Sequence, residues 1–212
     1  MSVVTRINSD DVAILLIDHQ SGLFQTVKDI DVTSLRNNVT TLAKIAAIEN
    51  IPVITTASEP NGPNGPLMPE IHKYAPHAVY VPRNGEINSW DTPAFVEAVK
   101  KTGKKKLIIG GVLTSVCVAF PSISAVSEGY EVFAVIDASG DMSTLSSQAT
   151  LARLSLAGVI PISTTAVCSE IQKTWNRPDA LQFAEAYSTV MPNYQAVIES
   201  FQKAESVGTS KK

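Results

Sequence analysis

The chain has 212 residues, 44% hydrophobic and 17% charged, enough apolar side chain to fill the core of one globular domain. Its formal net charge of −3 leaves no basic face for nucleic acid, and the Lys104-Lys105-Lys106 run reads as a solvated turn before a strand. The first apolar run is short and stops at Asp18, which fits neither a signal peptide nor a membrane span and points to a cytoplasmic protein with no membrane partner.

Val12 to Ile17 (VAILLI) is apolar throughout, as a strand covered on both faces would be, and ends at Asp18-His19-Gln20. Leu35 to Glu49 carries Leu35, Val39, Leu42, Ile45 and Ile48 at helical spacing, and Ile51 to Thr56 follows as a second strand. The stretch 58 to 69, SEPNGPNGPLMP, is too rich in Pro, Gly and Asn for regular structure and reads as a functional loop. Val79 to Pro82 is a brief third strand ending at Arg83, and a helix is expected over Pro93 to Lys101, with Asp91 or Thr92 as its cap.

Leu107 to Ile109, Gly110-Gly111 and the pattern from Thr114 through Val126 then read as a buried strand, a tight turn and a helix over about Cys117 to Glu128. Tyr130 to Ile136 forms a fifth strand, Ser143 to Ala157 a helix, Val159 to Ile162 a sixth strand and Ala166 to Trp175 a further helix. Strand and helix alternate without repeat or linker. The expected architecture is a three-layer α/β/α domain around a six-stranded parallel sheet in the order 3-2-1-4-5-6.

In such a sheet ligands bind beyond the carboxyl ends of the strands. Asp18 ends the first strand, Arg83 the third, and Cys117 follows the fourth, so a carboxylate, a cation and a thiol meet at one edge. Unpaired amides at a helix start favour a thiolate, which places Cys117 as a nucleophile, although a cysteine there is equally at home as a core residue. Asp18 reads alternatively as a turn cap and Arg83 as a surface partner of Glu86. Cys117 and Cys168 show no Cys-x-x-Cys spacing, and His19, His72 and His77 lack metal-ligand spacing, so neither a disulfide, a metal nor a cofactor is expected.

LLIDHQ (15 to 20), RNGEINSW (83 to 90), the stretch 110 to 140 and the GPNGPLMPE loop together resemble the isochorismatase-like cysteine hydrolases, most closely their YcaC-type branch. The similarity covers roughly residues 6 to 200, and its joint pattern, an Asp after the first strand and GV-x-T-x-x-CV after the fourth, is specific. The resemblance implies the isochorismatase fold and a triad in which Asp18 matches the family aspartate, Cys117 the nucleophile, and Arg83 stands where lysine is usual. Unlike lysine, arginine cannot give up a proton, so it acts through charge and hydrogen bonding. The metal-binding Asp and His residues of the nicotinamidase branch are missing from the 58 to 69 loop.

The activity implied is hydrolysis of a small amide-like or related carbonyl (C–N) substrate through a Cys117 thiolate. A vinyl-ether hydrolase of the isochorismatase type and a catalytically silent oligomeric scaffold are the alternatives. Gln20, Asn88, Trp90 and Phe120 are candidate substrate-binding walls, each equally readable as core or surface. No side-chain donor stands beside Cys117, so an oxyanion hole falls to backbone N–H groups. Those are the Cys117 amide and, through a cis Val112–Leu113 peptide that the family implies, the Leu113 amide. One domain is expected over residues 1–206, with a flexible tail over 207–212. Its segment from about 176 to 206 holds Leu181, Phe183, Ala184, Tyr187, Met191, Tyr194, Val197, Ile198 and Phe201, more apolar side chain than a surface tail exposes. That segment is expected to pack on a neighbour in a homo-oligomer, which the resemblance suggests is an octamer.

Overall fold

In the computed structural model, which describes residues 6–209, VAILLI forms β1 (Val12–Ile17) with every side chain buried. Successive side chains of a strand point to opposite faces, and here both faces are covered. Ile14 and Leu16 pack against α1 (Val32–Ile48) in one core, while Ala13, Leu15 and Ile17 face a second core. A covered Leu or Ile contributes about 1.5–3 kcal/mol, so the six buried residues of β1 anchor both layers.

The other strands are β2 (Val53–Thr56), β3 (Val79–Tyr80), β4 (Lys106–Gly111), β5 (Glu131–Val135) and β6 (Ile160–Ile162). They form one sheet, β3-β2-β1-β4-β5-β6, parallel at every pairing. This is the order expected from the alternation of elements. Along the chain α2 (Glu70–Tyr74) and α3 (Pro93–Lys101) precede β4, and α4 (Ala119–Ser127), α5 (Thr144–Leu156) and α6 (Thr164–Gln172) follow it. Phe95 and Val99 of α3, Ala125 of α4 and Leu154 of α5 fill the second core, and Val167 and Ile171 of α6 join α1 in the first.

Helix starts follow their caps. The Asp31 side chain accepts from the Ser34 amide at α1, and Ser143 and Ser163 do the same at α5 and α6. Ser163 starts α6 two residues earlier than the apolar pattern suggests, and the helix stops at Gln172 because Lys173 enters the left-handed region at φ +63°. The short α2 has only Ile71 as a buried residue, too little apolar pattern to announce a helix in sequence.

The carboxyl-terminal segment departs from expectation in part. Phe183, Ala186 and Tyr187 of α7 (Ala180–Val190) are buried in the first core of the same chain, so much of the apolar content expected at a neighbour is used internally. On α8 (Pro192–Thr209), Val197 and Phe201 remain 61% and 65% exposed. Residues 207–209, expected to belong to a flexible tail, continue α8, while residues 1–5 and 210–212 lie outside the described residues.

Candidate active site

Register brings the site together. Ile17 lies opposite Thr56 on β2 and opposite Gly111 on β4, so Asp18 leaves the sheet beside both strand ends. A Cβ at position 111 would stand 2.5 Å from the Ile17 carbonyl oxygen, so only glycine permits this approach. Asp18 itself has φ +57°, a conformation that aspartate tolerates better than most residues and that recurs at functional sites. Its side chain has no solvent exposure.

Arg83 reaches this carboxylate from beyond β3. Its Nη2 donates to Asp18 Oδ1, its Nε donates to Thr56 Oγ1 at 3.1 Å, and its Nη1 donates to the carbonyls of Glu86 (2.7 Å) and Ile87 (3.4 Å). The guanidinium is thus enclosed, with four of its five N–H donors paired. Thr56, which the sequence reading did not single out, orients the arginine; its only signal was its place at the end of β2. Burial pushes the Asp18 carboxyl above its ordinary value, against the lowering influence of the Arg83 charge and hydrogen bond.

Cys117 sits in a π-helical turn, Thr114–Val118, that precedes α4. The amides of Val116, Cys117 and Val118 all donate to the Leu113 carbonyl, at 3.2, 2.8 and 3.3 Å. The expected free amide at Cys117 is therefore a correction to make: the wide turn, for which the sequence carries no signal, uses that donor internally. Thr114 donates to the Gly140 carbonyl and Ser115 to Asp141 Oδ2, each at 2.8 Å. Among the described residues the Leu113 amide meets no acceptor, and the Val112–Leu113 peptide bond is cis. Asp141, fully buried and not singled out from sequence, braces the turn.

Cys117 keeps part of its surface open, yet burial first and the Asp18 carboxylate second push its thiol well above the ordinary cysteine range. Both influences favour the protonated thiol, opposite to the pull toward a thiolate expected of a helix start. Asp18 and Cys117 side chains lie close enough to influence each other's proton affinity, but Asp18 Oδ2 has no partner at hydrogen-bonding geometry.

Of the expected pocket walls, Gln20 is buried and stitches the 58–69 loop to the end of β1. Its Oε1 accepts from the Ser58 amide at 2.9 Å, and its Nε2 donates to the carbonyls of Ser58 (2.9 Å) and Gly65 (2.5 Å). Asn88 caps a short turn by accepting from the Trp90 amide at 3.1 Å. Trp90 packs edge-on against Phe95 and Tyr130 in the second core and donates through Nε1 to Glu128 at 2.7 Å. Phe120, one turn after Cys117, is partly open, with the Arg153 guanidinium 5.6 Å from its ring centroid. Among the described residues no group of three or more His, Cys, Asp or Glu side chains is gathered as a metal site.

An isochorismatase domain match runs over residues 12–166. The Escherichia coli (strain K12) protein described as "Probable hydrolase YcaC" is 44% identical over 196 residues, 92% of this chain and 94% of that protein. The chain belongs to the isochorismatase family. The solved YcaC gene product from Escherichia coli, an octameric hydrolase of unknown specificity, matches this isochorismatase-family fold with a TM-score of 0.92 and 42% identity, covering 96% of this chain and all of that one, 100%. YcaC from Pseudomonas aeruginosa, solved with hexane-2,5-diol and covalent acrylamide, gives a TM-score of 0.91 and 44% identity over 95% of this chain and 100% of its own. As an isochorismatase-family hydrolase similar to YcaC along nearly its whole length, the protein bears out the resemblance drawn from its motifs.

Proposed function

We propose that this protein is a cysteine hydrolase acting on a small amide-like or related carbonyl (C–N) substrate. One observation carries the reading: Asp18 is buried with one oxygen bound to Arg83 and the other unpartnered beside the Cys117 thiol. A carboxylate whose proton affinity is raised by burial is a better base than a solvated one, and it stands where the thiol proton must go.

In this reading the Cys117 proton passes to Asp18 as sulfur attacks the carbonyl carbon. The thiol and carboxylate become thiolate and carboxylic acid, so the charge of the group, including Arg83, does not change. The tetrahedral oxyanion accepts from the Leu113 amide; the Cys117 amide can take part only by sharing its hydrogen with the Leu113 carbonyl. Asp18 returns the proton to the departing nitrogen, leaving a thioester. Water, deprotonated by Asp18, then adds to the thioester, and the acid leaves as sulfur regains a proton.

The covalent acrylamide on the Pseudomonas aeruginosa relative supports the presence of a reactive group in this branch, since acrylamide is an electrophile of the kind thiols attack. The octameric Escherichia coli relative supports a homo-oligomer, with the exposed stripe on α8 as its contact. Incubation with small amides and nitriles, read by mass spectrometry, is expected to show an acyl adduct on Cys117 from the amides and a thioimidate from the nitriles. Cys117→Ala is expected to stay folded and lose turnover by roughly 10⁴-fold or more. Substantial turnover without the sulfur would favour the vinyl-ether reaction, in which Asp18 serves as an acid.

A further inference from the structure

We infer that the Cys117 site selects uncharged substrates and turns away carboxylates, because the cation beside the sulfur is fully enclosed and already paired with a carboxylate of the protein. The inference rests on the reading of Cys117 as the reacting group. A guanidinium has five N–H donors. On Arg83 four of them are engaged, by Asp18, Thr56 Oγ1 and the carbonyls of Glu86 and Ile87, and because the side chain has no accessible surface the fifth, on Nη2, is closed to solvent. An incoming carboxylate could be received only by opening the enclosure around Arg83 and competing with the buried Asp18, which costs more than a solvated anion recovers.

The surrounding charge points the same way. Asp141, also without exposure, accepts from the Ser115 amide two residues before Cys117, so two buried carboxylates stand against one guanidinium. His19 contributes no positive charge: its Nε2 donates to the Ala138 carbonyl and its ring is neutral. Like charges in a poorly solvated site repel far more strongly than in water. Of the partly open residues next to Cys117 in the chain, Leu113, Val116 and Phe120 are apolar, and Phe120 packs against the same core as Cys117, a lining that suits a short neutral acyl group. Arg153 of α5 stands with its guanidinium 5.6 Å from the Phe120 ring centroid, a further cation whose part the Arg153→Ala variant tests.

The test compares alkylation of Cys117 in the full chain by iodoacetamide and by iodoacetate at one pH, read by mass spectrometry, with N-acetylcysteine as the free-thiol reference. Both reagents consume the same thiolate, so its population cancels from the ratio. The iodoacetamide-to-iodoacetate ratio at Cys117 is expected to exceed that of the reference by about tenfold or more. A ratio equal to or below the reference overturns the inference. Arg153→Ala is expected to leave the ratio unchanged; a further fall in the iodoacetate rate would identify Arg153 as a carboxylate receptor and overturn it likewise. Paired amide substrates of equal length, one neutral and one carrying a carboxylate, separate the two readings. Comparable hydrolysis of both would end the charge selection and leave the hydrolase intact, whereas hydrolysis of neither, with the alkylation ratio retained, would remove the hydrolase and leave the selection.

Discussion

Asp18, whose Oδ1 is bound by Arg83 and whose Oδ2 has no hydrogen-bond partner, lies close enough to Cys117 to raise the proton affinity of its thiol. Burial raises the proton affinity of the carboxyl against Arg83 and Cys117, which both favour its charged form, and the carboxylate in turn holds the proton on the thiol.

Asp18→Asn is therefore expected to separate reactivity from turnover. The change removes a negative charge that raises the thiol's proton affinity and leaves Arg83 as an unopposed cation, so the thiolate fraction at pH 8 increases. Alkylation of Cys117 by iodoacetamide should accelerate several-fold, while hydrolysis is lost with the base. In the unmodified protein the same rate should keep climbing through pH 9, because the thiol holds its proton above the ordinary cysteine range of about 8.5. A plateau below pH 8.5 would contradict this.

Arg83→Leu strands a buried carboxylate. Removing one partner of a buried pair costs about 3–5 kcal/mol, and that loss is expected in urea unfolding at pH 7. The Asp18→Asn, Arg83→Leu double variant should lose clearly less than the sum of the single losses, since the uncompensated charge is gone. Additive losses would mean that the two side chains act independently.

His19 makes stability fall in acid. Its ring is fully buried and neutral, with Nδ1 unpartnered, and burial lowers its pKa from 6.5 to about 4. Because the folded value lies below the unfolded one, the unfolded chain takes up the proton first. Stability present above pH 6.5 is then lost progressively as pH falls through about 4, by up to about 3 kcal/mol. Asp18, whose folded value is raised, runs the other way: its contribution is present below its unfolded value of 3.8 and is lost as pH rises through the folded one. Chemical unfolding at pH 7, 5.5 and 4.5 checks the balance, and His19→Gln should flatten the fall above pH 4.5.

Val197 and Phe201 lie one helical turn apart on α8 and are largely exposed. If this stripe is the contact of a homo-oligomer, Val197→Asp with Phe201→Asp should lower the mass seen by light scattering. The fold should persist, because Phe183 and Tyr187 of α7 carry the packing against the domain. An unchanged mass would move the contact elsewhere.

The sheet could be read from sequence because six short apolar runs alternate with helical patterns, and parallel strands buried on both faces have few other arrangements. The approach of Asp18 to Cys117 followed from β1 and β4 being neighbours. What could not be read was how polar groups are shared out. Nothing in TSVCV distinguishes a π turn from an α-helical first turn, so the commitment of the Cys117 amide to Leu113 was invisible. The hydrogen bonds of Thr56 and Asp141 depend on loops meeting across the sheet edge. Trp90 was readable from sequence as either a pocket wall or a core residue, and its indole packs into the second core against Phe95 and Tyr130.

Gln20 has a bearing on how this scaffold can be altered. Its side chain holds Ser58 through both backbone groups and Gly65 through its carbonyl, so the 58–69 loop is keyed to the residue two places after Asp18. The loop and the end of β1 consequently form one inheritable module. A chimera that imports this loop from a relative without its matching residue at position 20 would arrive with three bonds unmade, and the mismatch would be felt first at the neighbouring base, Asp18.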